Sequence, residues 1–176
     1  MTTTNLKKLK RLSPMELSYI AGFLDGDGSI YAQIVKRPDY RLRFQIRVCI
    51  GFYQKTTQHW FLIQLINQLQ YGSLRKNPNN GMSDYTIVGE EAVKHCLEAL
   101  RPHLKMKKRQ AALLLQIIEQ SQKKEEPDAF LTRCELVDKV SRFNDTKNRK
   151  ITSNTVRSLF LELNLLSVPV ETQSGD

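Results

Sequence analysis

The chain has 176 residues, and its 27 Lys and Arg against 18 Asp and Glu give a formal net charge of +9. This length suffices for one compact domain with a hydrophobic core and is short for two. Apolar residues make up 40% and are spread along the whole chain, which excludes an intrinsically disordered protein. Since no apolar run reaches about 18 residues, we expect no membrane span. The positive excess favours a polyanionic partner, usually nucleic acid, over an acidic small substrate.

Cysteine usage and the two ends of the chain bound its organisation. Cys49, Cys96 and Cys134 lie far apart, and an odd count without a signal peptide predicts reduced thiols in an intracellular protein. Residues 1–12 are basic and contain no acid, and we interpret them as a flexible arm rather than a transit peptide. We expect one domain over residues 13–166 and a flexible tail over residues 167–176.

The first helix is predicted to begin directly after Ser13. Ser13 and Glu16 are the two partners of a capping box, and Pro14 suits the first helical turn. Apolar residues then recur at helical spacing. Two glycines within residues 25–28 disfavour further helix, so we expect the helix to span residues 14–26 and to stop in this segment.

Two hairpins follow from alternating patterns and turn signals. The first pairs residues 30–37 with residues 43–53 around a turn at 38–39, and the second pairs residues 72–77 with residues 83–88 around a turn at 78–81. In the first hairpin one face is apolar, and we expect it in the core: Ile30, Ala32, Ile34, Phe44, Ile46, Val48, Ile50 and Phe52.

Further helices are predicted over residues 57–69, 90–100, 105–120, 127–143 and 153–165. In the helix over residues 57–69 we expect Trp60, Ile63, Ile66 and Leu69 to face inward, and we place Trp60 and the methionines in the core. The order is helix, hairpin, helix, hairpin and then helices. Such an order predicts an α+β domain whose four-stranded antiparallel sheet is covered by helices on one face.

Asp25 and Asp27 lie two residues apart between the first helix and the first strand. A calcium-binding EF-hand loop is excluded, because its sixth position would be Ile30 instead of glycine and its twelfth Lys36 instead of glutamate. Taken alone, the two aspartates fit either a metal site or a structural role as acceptors for amides at the helix end.

Residues 20–28, IAGFLDGDG, resemble the motif that names the LAGLIDADG homing endonucleases. The order of elements is similar to this family over nearly the whole chain, and the chain resembles the single-motif branch of algal organelle intron-encoded type. The resemblance implies an enzyme, a Mg²⁺-dependent homing endonuclease that makes a site-specific double-strand break in a long pseudo-palindromic DNA target. It also implies a location in a chloroplast or mitochondrion.

The motif has a physical logic for a homodimer. Small residues on its helix let a second helix approach closely, which places two Asp27 carboxylates side by side. Like charges resist joint ionisation unless cations lie between them, and metal ions there could activate water and stabilise the leaving oxygen. Because the chain carries the motif once, we expect the second helix from a second copy. The predicted dimer interface comprises Leu17, Ile20, Ala21, Gly22 and Leu24.

The family's functional positions carry over to four places here. The resemblance implies metal binding by the Asp27 carboxylate and the Gly26 carbonyl, with Mg²⁺ as cofactor and Mn²⁺ or Ca²⁺ able to occupy the site. It implies catalytic roles for Gln54, near the attacking water, and for Lys107, which could neutralise charge on the phosphate. Asp25 is expected to be structural.

Gln58 takes a catalytic position at which the relatives usually have a basic residue. His59 or Lys55 could supply the missing cation. The neutral side chain also leaves open an alternative function on the same fold, a non-catalytic nucleic-acid binder such as an intron-splicing helper or a regulator.

The outer face of the hairpins is the predicted surface for double-stranded DNA. In the family this sheet enters the major groove, whose base edges Arg and Gln can distinguish. The expected DNA-binding residues of the hairpins are Tyr31, Gln33, Val35, Arg37, Arg43, Gln45, Arg47, Tyr53, Arg75, Asn77, Asp84 and Thr86. The basic loop over residues 144–150 resembles a family loop that grips phosphates, through Lys147 and Arg149.

Overall fold

The computed structural model describes residue 9, residues 11–144 and residues 149–166. The expected tail over residues 167–176 and most of the expected arm lie outside these described residues. Of the arm, Leu9, Arg11 and Leu12 are described, and Leu9 is 2% exposed and belongs to the hydrophobic core. The expectation of a flexible arm is therefore wrong at this residue.

Over residues 11–144 and 149–166, six helices and four strands follow one another in the predicted order. The helices are α1 (Pro14–Asp27), α2 (His59–Leu69), α3 (Glu90–Leu100), α4 (Lys108–Glu119), α5 (Pro127–Phe143) and α6 (Ser153–Glu162). The strands are β1 (Gly28–Lys36), β2 (Phe44–Lys55), β3 (Ser73–Asn77) and β4 (Met82–Val88). Short 3₁₀ turns at Thr56–Gln58 and Arg101–His103 precede α2 and follow α3. None of the helices in the described part of the chain is long and apolar enough to cross a membrane.

The strands form one antiparallel sheet in the order β1-β2-β4-β3, so each predicted hairpin is present and β2 joins them through β4. All eight apolar positions predicted for the inner face of the first hairpin are buried. The helices cover that face, which leaves the other face of the sheet open. The α+β class and the four-stranded antiparallel sheet are thereby confirmed.

The inner face of α2 differs from the prediction. Leu62, Leu65 and Leu69 are fully buried, whereas Trp60 is 56% and Ile63 is 43% exposed. The helix is apolar almost all round, so periodicity alone could not select which side meets the sheet. The placement of methionines in the core is also wrong for Met15 and Met106, which are among the most exposed large apolar residues.

Two local boundaries differ slightly from the prediction. Helix α1 stops within residues 25–28 as expected, one residue later than the predicted bound, and the Gly28 N–H closes its end by donating to the Leu24 carbonyl. Arg43 precedes β2 in a left-handed conformation (φ 60°), and its guanidinium donates to the Pro38 carbonyl. Arg43 therefore belongs to the turn between β1 and β2 rather than to the open face of the sheet.

Candidate active site

The carboxyl end of α1 brings Asp27 against the end of β2. Asp27 is exposed, and the Gln54 side-chain amide donates to its Oδ2 atom at 2.9 Å. Asp27 is the last residue of the helix and Gln54 the penultimate residue of the strand. Two residues 27 positions apart in sequence thus form one polar contact.

Asp25 has a different environment from Asp27, although both belong to the last turn of α1. It is 7% exposed and accepts three backbone N–H bonds, from Lys105 at 2.7 Å, Met106 at 3.2 Å and Lys107 at 2.9 Å. A carboxylate that accepts several amides at the start of a helix acts as a cap. Asp25 is therefore structural, and it fixes the segment that precedes α4.

Lys107 is held beside the same turn of α1. Its backbone is tied to the Asp25 carboxylate, and its ammonium group donates to the Asp25 main-chain carbonyl. The run of cations from Lys105 to Arg109 opposes the positive end of the α4 dipole, and the buried carboxylate of Asp25 offsets this. The sequence alone did not indicate this partner for the cationic run.

Gln58 ends the 3₁₀ turn before α2 and is exposed. The two alternatives for a compensating cation differ in their surroundings. His59 is half-buried, and its Nδ1 lies 2.9 Å from the Ser83 hydroxyl, which fixes the ring against β4. Lys55 is exposed at the end of β2, beside Gln54. Of these two residues, Lys55 has the side chain that can reach a ligand outside the protein.

The open face of the first hairpin carries most of the predicted DNA-binding residues. Gln33 and Arg47 are direct cross-strand neighbours, as are Val35 and Gln45. Arg37 lies beyond the end of β1, where it pairs with Asp39 at 2.9 Å, donates to Gln45 at 3.1 Å and stacks on Tyr40. Arg37 is thus held in place by its neighbours, while Arg47 is exposed.

On the second hairpin the open face combines a cation and an anion. Arg75 and Asp84 face each other across β3 and β4 with 3.6 Å between Nη2 and Oδ2, and Tyr53 of β2 adjoins Asp84 in the same row. Thr86 lies on the neighbouring row and Asn77 at the far end of β3. One sheet surface therefore holds these residues together with the polar part of the first hairpin.

A groove of about 1110 Å³ runs along β1 towards the active-site turn. It is lined by five basic residues, and no acidic residue is among its lining in the described part of the chain. These residues are Lys105, Lys107, Arg109, Arg149 and Lys150. Arg149 also forms an ion pair with Asp138 at 2.5 Å and is 17% exposed, which limits its reach. Lys147 lies outside the described residues.

One face of α1 remains exposed in the protomer. Met15, Tyr19, Gly22 and Gly26 lie on it, and a Cβ atom added to either glycine would meet nothing within 4 Å. The predicted interface residues Ile20, Ala21 and Leu24 are instead fully buried inside the protomer, so the expectation that these three meet a second copy is wrong. Their spacing placed them on the same stripe, but that stripe packs on the sheet. Leu17 is half-buried and Gly22 exposed.

Exposed aromatic residues extend this α1 face onto α2. Tyr19 packs edge-on against Phe61, with 6.0 Å between ring centroids, and Trp60 packs against the same ring at 6.0 Å. Tyr19 is 64% exposed. The sequence predicted Trp60 for the core, and only the tertiary structure places it here.

The donors at the end of α1 fit a hard divalent cation. Asp27 offers an exposed carboxylate, and the Gly26 carbonyl belongs to the last helical turn, whose carbonyls lack intrahelical partners and carry the negative end of the dipole. Mg²⁺ keeps several waters and takes only one or two carboxylates. Within the described residues no group of three His, Cys, Asp or Glu could hold a metal.

Sequence reasoning missed one buried ionic cluster. Arg133 is 3% exposed and pairs with Glu125 at 2.8 Å and Glu90 at 2.7 Å, and its Nε donates to the Ile117 carbonyl. The cluster links α3, α4 and α5 behind the sheet and is structural. A single arginine on the otherwise apolar inner face of α5 was the available signal.

The chain matches known proteins over most of its length. It is 39% identical over 149 residues to DNA endonuclease I-CvuI of Chlorella vulgaris, covering 85% of this chain and 92% of that protein. It is 42% identical over 144 residues to DNA endonuclease I-CreI of Chlamydomonas reinhardtii, covering 81% and 87%. The two matches therefore cover most of this chain and most of each relative.

Solved structures agree with the sequence matches. The structure of I-CvuI in complex with its target in the presence of calcium superposes with a TM-score of 0.83 at 38% identity, covering 87% of this chain and 97% of that one. The archaeal intron-encoded I-Vdi141I complexed with DNA superposes with a TM-score of 0.75 at 18% identity and supports the fold alone. The family model described as LAGLIDADG endonuclease matches residues 20–118, and the chain belongs to this family.

Proposed function

We propose that this chain is a homing endonuclease that makes a site-specific double-strand break in a long pseudo-palindromic DNA target. The proposal rests on one observation. The exposed Asp27–Gln54 pair, the basic groove and the open sheet face all lie on one side of the domain. Its relatives I-CvuI and I-CreI are DNA endonucleases.

Mg²⁺ is the proposed cofactor, held by the Asp27 carboxylate and the Gly26 carbonyl of each protomer. A divalent ion supplies Lewis acidity at the scissile phosphate and lowers the pKa of a bound water. Structures of I-CvuI with DNA were obtained in the presence of Ca or Mg. The Gln54 amide orients the Asp27 carboxylate, and its own carbonyl oxygen is left to accept from water.

Lys107 provides positive charge near the reacting phosphate. Asp25 fixes its backbone, and its ammonium group at the end of α1 can neutralise charge that develops on the phosphate. Gln58 is an exposed polar side chain at the start of α2, and we place it beside the phosphate as a hydrogen-bond donor. Lys55 supplies the cation that Gln58 lacks.

The active form is proposed to be a homodimer formed through the exposed face of α1. Gly22 and Gly26 are four residues apart and have free space above them, which lets a second helix approach closely. Tyr19 and Trp60 add exposed apolar area beside them. Pairing two copies about a two-fold axis would bring two Asp27 carboxylates together. The Asp27 carboxylates and Gly26 carbonyls of both copies would then form one metal-binding centre.

The open sheet face is proposed to enter the major groove, with the basic groove along the phosphate backbone. Gln33, Gln45, Arg47, Arg75 and Asp84 then face base edges, where Arg suits guanine and Gln suits adenine. Lys105, Arg109 and Lys150 neutralise phosphates, which predicts affinity that falls steeply with salt.

We also propose an organellar location, which fractionation of the source cells would check.

Cleavage selection tests the whole proposal. A duplex library randomised within symmetric half-sites is incubated with wild-type protein and with Asp27→Asn, with and without Mg²⁺. We expect one pseudo-palindromic sequence to be cut by the wild type only when the metal is present.

The neutral Gln58 favours the alternative of a non-catalytic binder. If both proteins enrich the same sequence and neither cuts it, the binder replaces the enzyme, and an RNA-splicing assay then tests the splicing role.

A further inference from the structure

The open face of the sheet is not uniformly polar. Between the polar end of the first hairpin and the Arg75–Asp84 pair lies a zone without charge, which we name the apolar band: Tyr31, Cys49, Gly51, Tyr53 and Val88. Tyr31, Cys49 and Val88 are direct neighbours across β1, β2 and β4. Val88 is 48% exposed, more than any other large apolar residue of the four strands.

Gly51 and Tyr53 form one flat unit within the apolar band. A Cβ atom at Gly51 would lie 2.3 Å from Tyr53 Oη and 2.7 Å from its Cζ, so the ring reaches back over the glycine. The Tyr53 hydroxyl lies 3.1 Å from the Ser29 hydroxyl on β1, which fixes the ring in this position. Any side chain at residue 51 would displace the ring, because real Cβ atoms do not approach so closely.

Cys49 and Tyr31 complete the apolar band without adding charge. Cys49 is 2% exposed, and burial raises the pKa of its thiol. Burial also raises the pKa of the Tyr31 hydroxyl well above its ordinary value, with Cys49 and Tyr53 as further causes. Both groups are neutral at physiological pH, so the band presents aromatic and aliphatic surface.

The surroundings of the apolar band indicate what covers it. Arg47 and Gln33 lie at one end and Arg75 at the other, and Lys105, Lys107 and Arg109 line the groove along β1. An apolar protein partner would have to bury these cations, whereas a DNA duplex offers phosphates to them. Duplex DNA also offers one apolar group in its major groove, the 5-methyl group of thymine.

We propose that the apolar band is a specificity element that reads thymine methyl groups in the target DNA. This inference rests on the proposed function and adds which bases that site selects. Cytosine lacks the methyl group and so loses this apolar contact, and the band itself offers its amino group no charged acceptor. Cys49 lies five residues along β2 from Gln54, which we place at the scissile phosphate. The apolar band therefore extends to about 17 Å, or about five base pairs, from each cut.

Removal of the methyl group alone tests the proposal. The target obtained by cleavage selection is resynthesised with deoxyuridine in place of single thymines, and binding is measured for wild-type protein with Ca²⁺. We expect thymine within about five base pairs of each cut, and about fourfold weaker binding for each deoxyuridine there, the value of one buried methyl group. Deoxyuridine farther out in the half-site should leave binding unchanged.

Two variants link the response to the apolar band. Val88→Thr keeps the shape of the side chain but replaces a methyl with a hydroxyl, and it should reduce the deoxyuridine effect. Gly51→Ala should displace Tyr53 and do the same. Gln33→Ala, at the polar end of the face, is the matched control and should retain the full effect. The wild-type measurement stands by itself if Gly51→Ala fails to fold.

The outcomes separate this inference from the proposed function. A target with only G·C pairs in that window, or equal binding of thymine and deoxyuridine targets, overturns the thymine assignment while DNA cleavage stands. Failure of the library to yield any bound or cut sequence overturns the proposed function and this inference with it.

Discussion

The two faces of α1 are built on opposite principles. The inner face carries Ile20, Ala21, Leu24 and Asp25, which are buried and fix the helix to the sheet and to the start of α4. The outer face carries Met15, Tyr19, Gly22 and Gly26, and among the described residues nothing lies within 4 Å of a Cβ atom added to either glycine. Gly22 and Gly26 lower the helix propensity of α1, and the described part of the protomer gains no packing contact from their small size. We infer that the small size serves a contact outside the protomer.

Asp27→Asn should give the largest effect. Cleavage should fall about a thousandfold or more, because the proposed metal ligand, worth several kcal/mol in the transition state, is lost. The free energy of unfolding should change by less than about 0.5 kcal/mol, since the side chain is exposed. Single-turnover cleavage and urea denaturation measure the two quantities. Full loss of DNA binding in this variant would instead assign Asp27 to the architecture.

Asp25→Asn should reverse that pattern. Its carboxylate accepts three amides, and an asparagine leaves some of these donors without an acceptor, so the free energy of unfolding should fall by about 2–4 kcal/mol. Activity of the folded fraction should fall less than in Asp27→Asn, because Lys107 loses its anchor but the proposed metal ligand, Asp27, remains. Equal stability of Asp25→Asn and wild type in urea would contradict the structural role.

Gly22→Leu should act on assembly rather than on the protomer. The added side chain has free space in the protomer but would block a close helix approach, so we expect the dimer to weaken by about 2 kcal/mol, or about 30-fold. Sedimentation across a concentration series measures this. Gln116→Leu, at an exposed position of α4, is the matched control. If both variants leave the mass unchanged from wild type, α1 is not the interface.

Ser13→Ala should have the smallest effect, about 1 kcal/mol of stability, through loss of the α1 cap. The Ser13 backbone N–H and hydroxyl donate to Glu16 and lower the pKa of its carboxyl group. The stability that comes from this lowered pKa is present above the pKa of Glu16 in the unfolded chain, and it is lost as the pH falls through the pKa of Glu16 in the folded protein. The difference between the variant and the wild type should therefore shrink below about pH 4. Denaturation at pH 7 and at pH 3 checks this, and an unchanged difference would exclude the Glu16 contact.

The sequence by itself determined the element order, the inner face of the first hairpin and the position of the family motif. Period-two and helical patterns report directly on which side of an element is apolar. The capping box and the turn at residues 78–81 fixed local boundaries for the same reason, because their chemistry lies within a few residues.

Only the tertiary structure decided which apolar stripe meets the core. Trp60 and Ile63 are exposed while Leu62 and Leu65 are buried, and Ile20 and Ala21 face the sheet instead of a partner. Gln54 reaches Asp27, Asp25 reaches residues 105–107 and Tyr53 reaches Ser29, each from one element to another. Such contacts depend on how elements pack in three dimensions, and no periodicity within a single element encodes them.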